Sequence, residues 1–366
     1  MKARIGGTMA IAVMIAAAVA LLAVASASGG RSTRSADAPY TLKMPWGTFT
    51  LSSSIRADVQ KRLKAGRALD IPVFTWIQGD AFFVPVRKGI ADAAKQLHTT
   101  SQLIGPVGAG QPQEISDIQS YLGRKPDGLA ITLSDEKSAK GLIDGLIAKG
   151  IPVIIWNTDA PTTHRLAYIG QNNEKAGFKV GQLMVTKLKA KHITSGTIAM
   201  FATDATAAYS KLQRFPGFEK AVHAALPNIK FQTPVTLGTD ISAAVGKVDS
   251  AVRGKSDIVG MYSADEQVVA LANWEKQNAS AGKYVIVGHN LLPTELSLMS
   301  QGYIDGVVGQ NPYLQGYWSV QWLKSFVTTG RPFKPGVIID TGYPVVDTPA
   351  AAKTLLSTDC GGKGCG

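Results

Sequence analysis

The sequence predicts an α/β protein built as two similar, doubly wound parallel-sheet lobes, and three observations carry that expectation. Short apolar runs alternate with amphipathic stretches from residue 70 onward, which is the pattern of βαβ units. There are too many such units for one ordinary doubly wound sheet, and 366 residues with 17% charged residues favour two domains over one. Within residues 151–177 one strand pattern follows another with no helix between them, which marks a crossing from one sheet to a second.

In chain order, the first set of units has strands over 71–76, 101–104, 128–133 and 151–156, with helices over 84–97, 113–122 and 136–149. The run 151–156 is almost wholly apolar and follows Lys149-Gly150. It fits a parallel strand buried on both faces and fed by a helix that ends at the glycine. A short strand at 166–169 lies at the crossing. Helices at 175–188, 217–226, 241–252 and 266–277 then alternate with strands at 196–201, 231–237, 258–262 and 284–289. A helix at 317–326 follows, and 337–339 is expected to end the regular structure. Ahead of residue 70, alternation around Pro45-Trp46-Gly47 predicts a hairpin over 40–51. Ser53 or Ser54 then caps a helix with Ile55, Val59 and Leu63 on one face. That helix either packs on the body with its charged face in water or meets a membrane or partner protein.

The formal net charge of +12 first suggests nucleic acid or an anionic membrane, but its location argues otherwise. Residues 1–27 carry two positive charges, and residues 29–68 hold eight basic against two acidic groups, leaving +4 for the rest. The core is therefore not read as a nucleic-acid binder. Lys2 and Arg4, an apolar run over 9–24, and Ala25-Ser26-Ala27 have the order of a signal peptide. The competing reading is an uncleaved anchor helix, since the run is nearly long enough to span a bilayer. Small residues at its end favour cleavage and export to the periplasm or beyond. No cysteine follows the run, so a lipid anchor is not supported. Cys360 and Cys365 sit in a glycine-rich tail, where a small disulfide suits an exported chain. A metal clip is the alternative, although two thiols without a nearby histidine make a poor zinc site.

The usual chemical motifs fail on position or spacing. Gly254-Lys255-Ser256 resembles the tail of a phosphate loop, but Asp249 stands where the leading glycine belongs and the stretch ends a helix. The glycines of 105–110 run in the reverse of the dinucleotide spacing and read as a loop. No nucleophile elbow or H-E-x-x-H occurs, and the five histidines are scattered without ligand spacing. No catalytic residue, metal site or cofactor is expected. What remains is a set of polar and aromatic residues at strand ends, where open α/β sheets place ligands: Trp76, Asp80, Asn157, Thr158, His289, Asn290 and Gln310. Aromatic faces pack on the C–H faces of a sugar, and Asp, Asn, Gln and Arg satisfy its hydroxyls. Taken singly, such residues also cap strands and stabilise turns.

In these residues the chain resembles the periplasmic sugar-binding proteins of the ribose- and galactose-binding type, the solute receptors of ABC importers. The matching segments are AFFVPVRKGIADAAKQL, GIPVIIWNTDAP, AYIGQNNEKAG, LQRFPGFEKAV, YSADE, and IVGHN followed by QGYIDGVVGQNPYLQGY. The resemblance implies two lobes joined by a three-stranded hinge, periplasmic binding protein type I, with the ligand enclosed as the lobes close. The implied division is a leader over 1–27, a basic extension over 28–69, a first lobe over 71–171 plus 311–336, a second lobe over 172–310 plus 337–349, and a tail over 350–366.

The resemblance also implies roles. Phe82 and Phe83 match the aromatic stacking pair, Asp80 a polar hydroxyl ligand, Arg214 the arginine from the second lobe, and Gln310 the glutamine of the last crossing. Phe82 has a core reading, Arg214 a pairing with Glu219, and Asp265 a helix-capping role beside its ligand role. Departures are equally specific. Asn157 and Asn290 stand where ribose binders carry Asp, Thr158 for an Arg, Ala264 for an Asn, and Trp76 for a small polar residue. Amides in place of acceptor-only carboxylates change which hydroxyls are satisfied, so ribose is not the expected ligand. The expectation is a monomeric receptor that binds a monosaccharide or polyol without transforming it and delivers it to a membrane permease. The alternatives are a receptor for an autoinducer or sugar acid, with Arg214 meeting a carboxylate, and a nucleotide-dependent α/β enzyme.

Overall fold

The computed structural model describes residues 39–330, 334 and 336–357. The leader, residues 28–38 of the extension and the Cys360–Cys365 pair lie outside the described residues. The first elements are β1 (Tyr40–Met44) and β2 (Gly47–Leu51), an antiparallel hairpin turning at Pro45-Trp46, and α1 (Ser53–Lys64). Ser52, one residue earlier than expected, caps α1 by accepting the Ile55 N–H at 3.3 Å. Far from being an appendage, this segment is part of the first lobe. Leu42, Phe49, Leu51 and Val59 are buried in its core, and Phe49 packs on Phe326 with ring centroids 5.8 Å apart. Its basic face is only partly in water: the Arg62 guanidinium holds the buried Asp127 carboxylate through both oxygens.

The chain continues through β3 (Leu69–Asp70), β4 (Val73–Phe74), α2 (Phe83–Leu97), β5 (Thr99–Thr100), β6 (Leu103–Ile104), α3 (Gln111–Tyr121), β7 (Leu129–Ile131), α4 (Glu136–Ala148), β8 (Val153–Trp156) and β9 (Tyr168–Gly170). It then crosses into α5 (Asn173–Ala190), β10 (Ser195–Ala202), α6 (Phe215–Ala225), β11 (Asn228–Phe231), β12 (Val235–Thr236), α7 (Ile241–Val252), β13 (Ile258–Ser263), α8 (Val268–Gln277), β14 (Val285–His289), α9 (Pro293–Ser300) and β15 (Gly306–Val308). It returns through α10 (Pro312–Thr329) and β16 (Ile338–Asp340), and ends in β17 (Val345–Val346) and α11 (Pro349–Ser357).

Helix starts follow local chemistry. Asp135, Asn172 and Asp240 cap α4, α5 and α7 by accepting amide N–H groups of the first turn, and proline occupies the first turn of α3, α6, α9 and α10. The first sheet has the order β16-β9-β8-β7-β4-β6, all parallel. The second has the order β11-β10-β13-β14-β15-β17, with β12 also on β10 and only β17 antiparallel. The second sheet carries an apolar core on each face, as a doubly wound sheet must.

Three expectations need correction. Residues 231–237 are two strands, because Pro234 has no N–H to give to a ladder. Residues 338–340, expected in the second lobe, pair with β9 and extend the first sheet, with Ile339 packing on the first core. The third crossing therefore falls at 341–344. Regular structure does not end at 339 either, since β17 and α11 follow.

Candidate functional site

Seven strands of the two sheets deliver residues to one cavity, and they do so at their carboxyl ends. Trp76, Ile77 and Asp80 follow β4, with Phe82 and Phe83 opening α2; Asn157 and Thr158 follow β8. From the other lobe come Asn173 at the start of α5, Thr203, Tyr209 and Arg214 after β10, Thr239 after β12, Asp265 and Glu266 after β13, Asn290 after β14 and Gln310 after β15. The cavity and its open mouth together hold about 650 Å³ of atom-free space.

Ten of the eleven residues expected from the sequence border this cavity. His289 does not: it is wholly buried behind the site, where its Nε2 meets the Tyr262 hydroxyl at 3.0 Å. Burial, and then the Arg214 charge, hold the imidazole well below its ordinary pKa, so it is a neutral core group. Residue parity explains the miss. His289 is the last residue of β14, whereas Asn290 is the first beyond it and turns outward with φ 75°. Asn157 has φ 62° at the equivalent place, and asparagine tolerates this left-handed backbone.

Arg214 is the organising cation. It is 4% exposed, on a single π-helical turn (Ser210–Arg214) that leads into α6. Its Nε donates to Asn173 Oδ1 at 2.9 Å, one Nη to the Ala264 carbonyl at 2.5 Å, and the other to Gln310 Oε1 at 3.5 Å. It does not pair with Glu219. Its guanidinium also lies 5.5 Å from the Tyr209 ring centroid. Gln310 Nε2 in turn donates to Asn290 Oδ1 at 2.7 Å.

The Asp265 carboxylate is filled by the protein itself. It accepts the Thr203 N–H and Tyr209 O–H on one oxygen, at 2.7 and 2.8 Å, and the Ser263 O–H and Gln267 N–H on the other, at 3.2 Å each. Burial still raises its pKa against these donors. Glu266 keeps part of its surface open, yet burial first, then the charges of Asp265 and Asp80, push it well above the ordinary range. The aromatic wall is two-sided: Phe82 and Phe83 are both buried at an edge-to-face angle of 87°, and Phe83 stands edge-on to Trp156. Phe82 thus serves core and cavity together. Trp76, half-buried, borders the cavity from the same lobe.

Sequence reading missed Ile77, Asn173, Thr203, Tyr209, Thr239 and Glu266. A strand-end rule applied to β10 and β12 would have found Thr203 and Thr239. Tyr209 carries no such signal, because it lies well beyond the end of β10, at the N-terminal edge of the π turn.

Two doubly wound lobes with a polar and aromatic cavity across the strand ends make a two-lobed solute receptor. The chain belongs to the family described as periplasmic binding protein domain, whose model matches residues 71–331. It is 25% identical over 297 residues to the xylose/arabinose-binding protein of Sulfolobus acidocaldarius, covering 76% of this chain and 70% of that protein. It is 25% identical over 258 residues to the D-galactose/methyl-galactoside binding periplasmic protein of Haemophilus influenzae, covering 66% and 76% respectively. Among solved structures, the glucose-galactose binding protein of Geobacillus stearothermophilus superimposes with a TM-score of 0.70 at 26% identity, over 79% of this chain and 99% of that one. A solute binding protein of an ABC transporter from Burkholderia graminis, solved with D-arabinose, gives 0.71 at 26% identity, over 77% and 96%. Among the described residues, no helix is long and apolar enough to cross a membrane and no group of His, Cys, Asp or Glu is arranged to hold a metal ion.

Proposed function

We propose that this chain is the sugar-binding component of an ABC importer, holding a monosaccharide between its lobes without transforming it and delivering it to a membrane permease. The observation that carries this reading is the composition of the cavity at the strand ends: an aromatic wall from one lobe faces a hydrogen-bonded set of amides, carboxyls and one arginine from the other. That combination suits a guest with apolar C–H faces and a rim of hydroxyls. The relatives named for xylose, arabinose and galactose point to a pentose or hexose. Guest contacts to both lobes favour the closed arrangement over the open one, which is the physical basis of capture. We place the mature chain outside the cytoplasm, acting as a monomer.

A sugar acid fits less well. All three nitrogens of Arg214 already hold neutral protein acceptors, and the Asp80 carboxyl borders the same cavity. Isothermal titration with D-xylose, D-arabinose, D-galactose and D-galacturonate, with NAD as a control, tests both readings. The expectation is binding of a neutral sugar, and a thermal stabilisation of about 2.7 kcal/mol at a hundred times its dissociation constant. Arg214→Lys keeps the charge and loses the fork, so affinity should fall at least about tenfold with the circular dichroism unchanged. Binding of NAD alone, or an unchanged affinity in that variant, would remove the proposal.

A further inference from the structure

Gln315 lies on α10, fully buried, and does not border the cavity. It nevertheless touches both arms of the site. Its Nε2 donates to the main-chain carbonyl of Gln310 at 2.9 Å and lies 3.4 Å from Gln310 Oε1, while its Oε1 accepts from Asn157 Nδ2 at 3.1 Å. An amide side chain can be turned end for end, but a carbonyl can only accept and an arginine can only donate. These two groups of fixed polarity set every amide between them.

The first anchor is the Gln310 carbonyl. It requires the Nε2 end of Gln315, so Gln315 Oε1 is turned to Asn157, and Asn157 must answer with Nδ2. That leaves Asn157 Oδ1 with one long protein hydrogen bond, from the Thr158 hydroxyl at 3.4 Å. The second anchor is Arg214, which with Gln315 Nε2 holds Gln310 Oε1. Gln310 then gives its own Nε2 to Asn290 Oδ1, and Asn290 Nδ2, on a residue 2% exposed, has no partner in the protein. A buried amide with unused N–H groups at the wall of a binding cavity is a donor for the guest.

We infer that Gln315 is a positioning residue that fixes the polarity of the site, so that Asn157 offers the ligand an acceptor from one lobe and Asn290 a donor from the other. The inference rests on the sugar-binding reading for its consequence. The ligand has a hydroxyl hydrogen directed at Asn157 and a lone pair, from a hydroxyl or ring oxygen, directed at Asn290. A sugar that meets this pattern with one epimer loses a bond with the other, and Gln315 sets the discrimination from outside the cavity.

The test uses Gln315→Met, which keeps length and burial and removes the hydrogen bonds, with and without Asn157→Asp. A carboxylate presents an acceptor whichever end faces the cavity, so Asp at 157 needs no orientation from Gln315. Titration with D-xylose, D-arabinose and D-galactose should show affinity falling about tenfold in Gln315→Met and returning to within about threefold of the native protein in the double variant. A Gln315 that merely supports the fold gives no such rescue, and absence of rescue overturns the inference. A readout independent of any sugar is the solvent exchange of the Asn157 side-chain N–H groups by NMR, expected to quicken at least about tenfold in Gln315→Met. Unchanged exchange overturns the inference even where sugar binds. If no sugar binds the native protein, the proposed function falls while the exchange result still decides the role of Gln315.

Discussion

Glu295 shows what a single side chain contributes here and how little of it a sequence displays. It sits in the first turn of α9, 1% exposed, with neither carboxyl oxygen in a well-aligned hydrogen bond. Burial pushes its pKa up to about 8, while the amides of Glu295 and Leu292 pull the other way without compensating. The folded state therefore keeps a proton that the unfolded chain, with an ordinary carboxyl near 4.5, has already released. Stability falls as pH rises from that ordinary value through 8, by about 1.4 kcal/mol for each pH unit between the two pKa values, and changes no further above it. Glu295→Gln is neutral throughout, so urea unfolding should find it equal to the native protein below the ordinary carboxyl value, near pH 4, and clearly more stable near pH 9. Parallel pH profiles would refute the assignment. Nothing in the composition of 293–300 marks this carboxyl as buried, whereas Asn157 and Asn290 were legible because a polar residue directly after an apolar strand has few places to point. The same rule misassigned His289 by one position, and it is silent on Gln315, whose role exists only through contacts 158 and 5 residues away.

Elements, unlike side chains, were legible wherever their burial is one-sided or complete. The expected helix over 241–252 coincides with α7, which buries Ala244, Val248 and Val252 on one stripe. By contrast α9 has only eight residues, and its buried face, Glu295, Leu296, Leu298 and Met299, includes a charged side chain, so the apolar pattern is too weak to read. At this scale the site depends on how α5 and α6 approach. A Cβ at Gly177 would collide with the Arg214 carbonyl, and one at Gly217 with that of Glu174, so the two helices meet backbone to backbone. The helical turn that carries Arg214 is thus seated directly on Gly177. Gly177→Ala should cost about 1–3 kcal/mol through overpacking, and by shifting Arg214 it should weaken sugar binding about tenfold or more. Gly141→Ala in α4 is the control, because nothing lies within 4 Å of the added carbon; it should stabilise by about 0.5–1 kcal/mol without touching affinity. Denaturant unfolding with titration of both variants decides the matter. A Gly177→Ala protein with native affinity would show that the helix contact does not position the arginine.

Across the whole molecule, the two lobes are joined by the chain at 171–172, 309–311 and 341–344, and one side chain ties all three crossings. Gln171 belongs to the first crossing, and its Nε2 donates to the Gly309 carbonyl of the second at 2.7 Å and to the Gly342 carbonyl of the third at 3.0 Å. Further bonds follow the same plan: the Thr341 hydroxyl donates to the Gln310 carbonyl at 2.8 Å, and the Asn172 N–H to the Tyr343 hydroxyl at 3.2 Å. Because Gln310 also borders the cavity, the guest and the brace share the second crossing. Untying the crossings leaves buried carbonyls without donors, at about 1–3 kcal/mol. It also widens the range of lobe angles in the free protein while leaving the sugar-closed form in place. A receptor whose closed arrangement is less populated binds more weakly by that fraction, with no change at the site itself. Small-angle scattering of Gln171→Leu should therefore give a larger radius of gyration than the native protein without sugar and the same radius at saturation, and titration should show a lower affinity. Superimposable curves without sugar would mean that the crossings hold their geometry through the backbone alone and that Gln171 is not the brace.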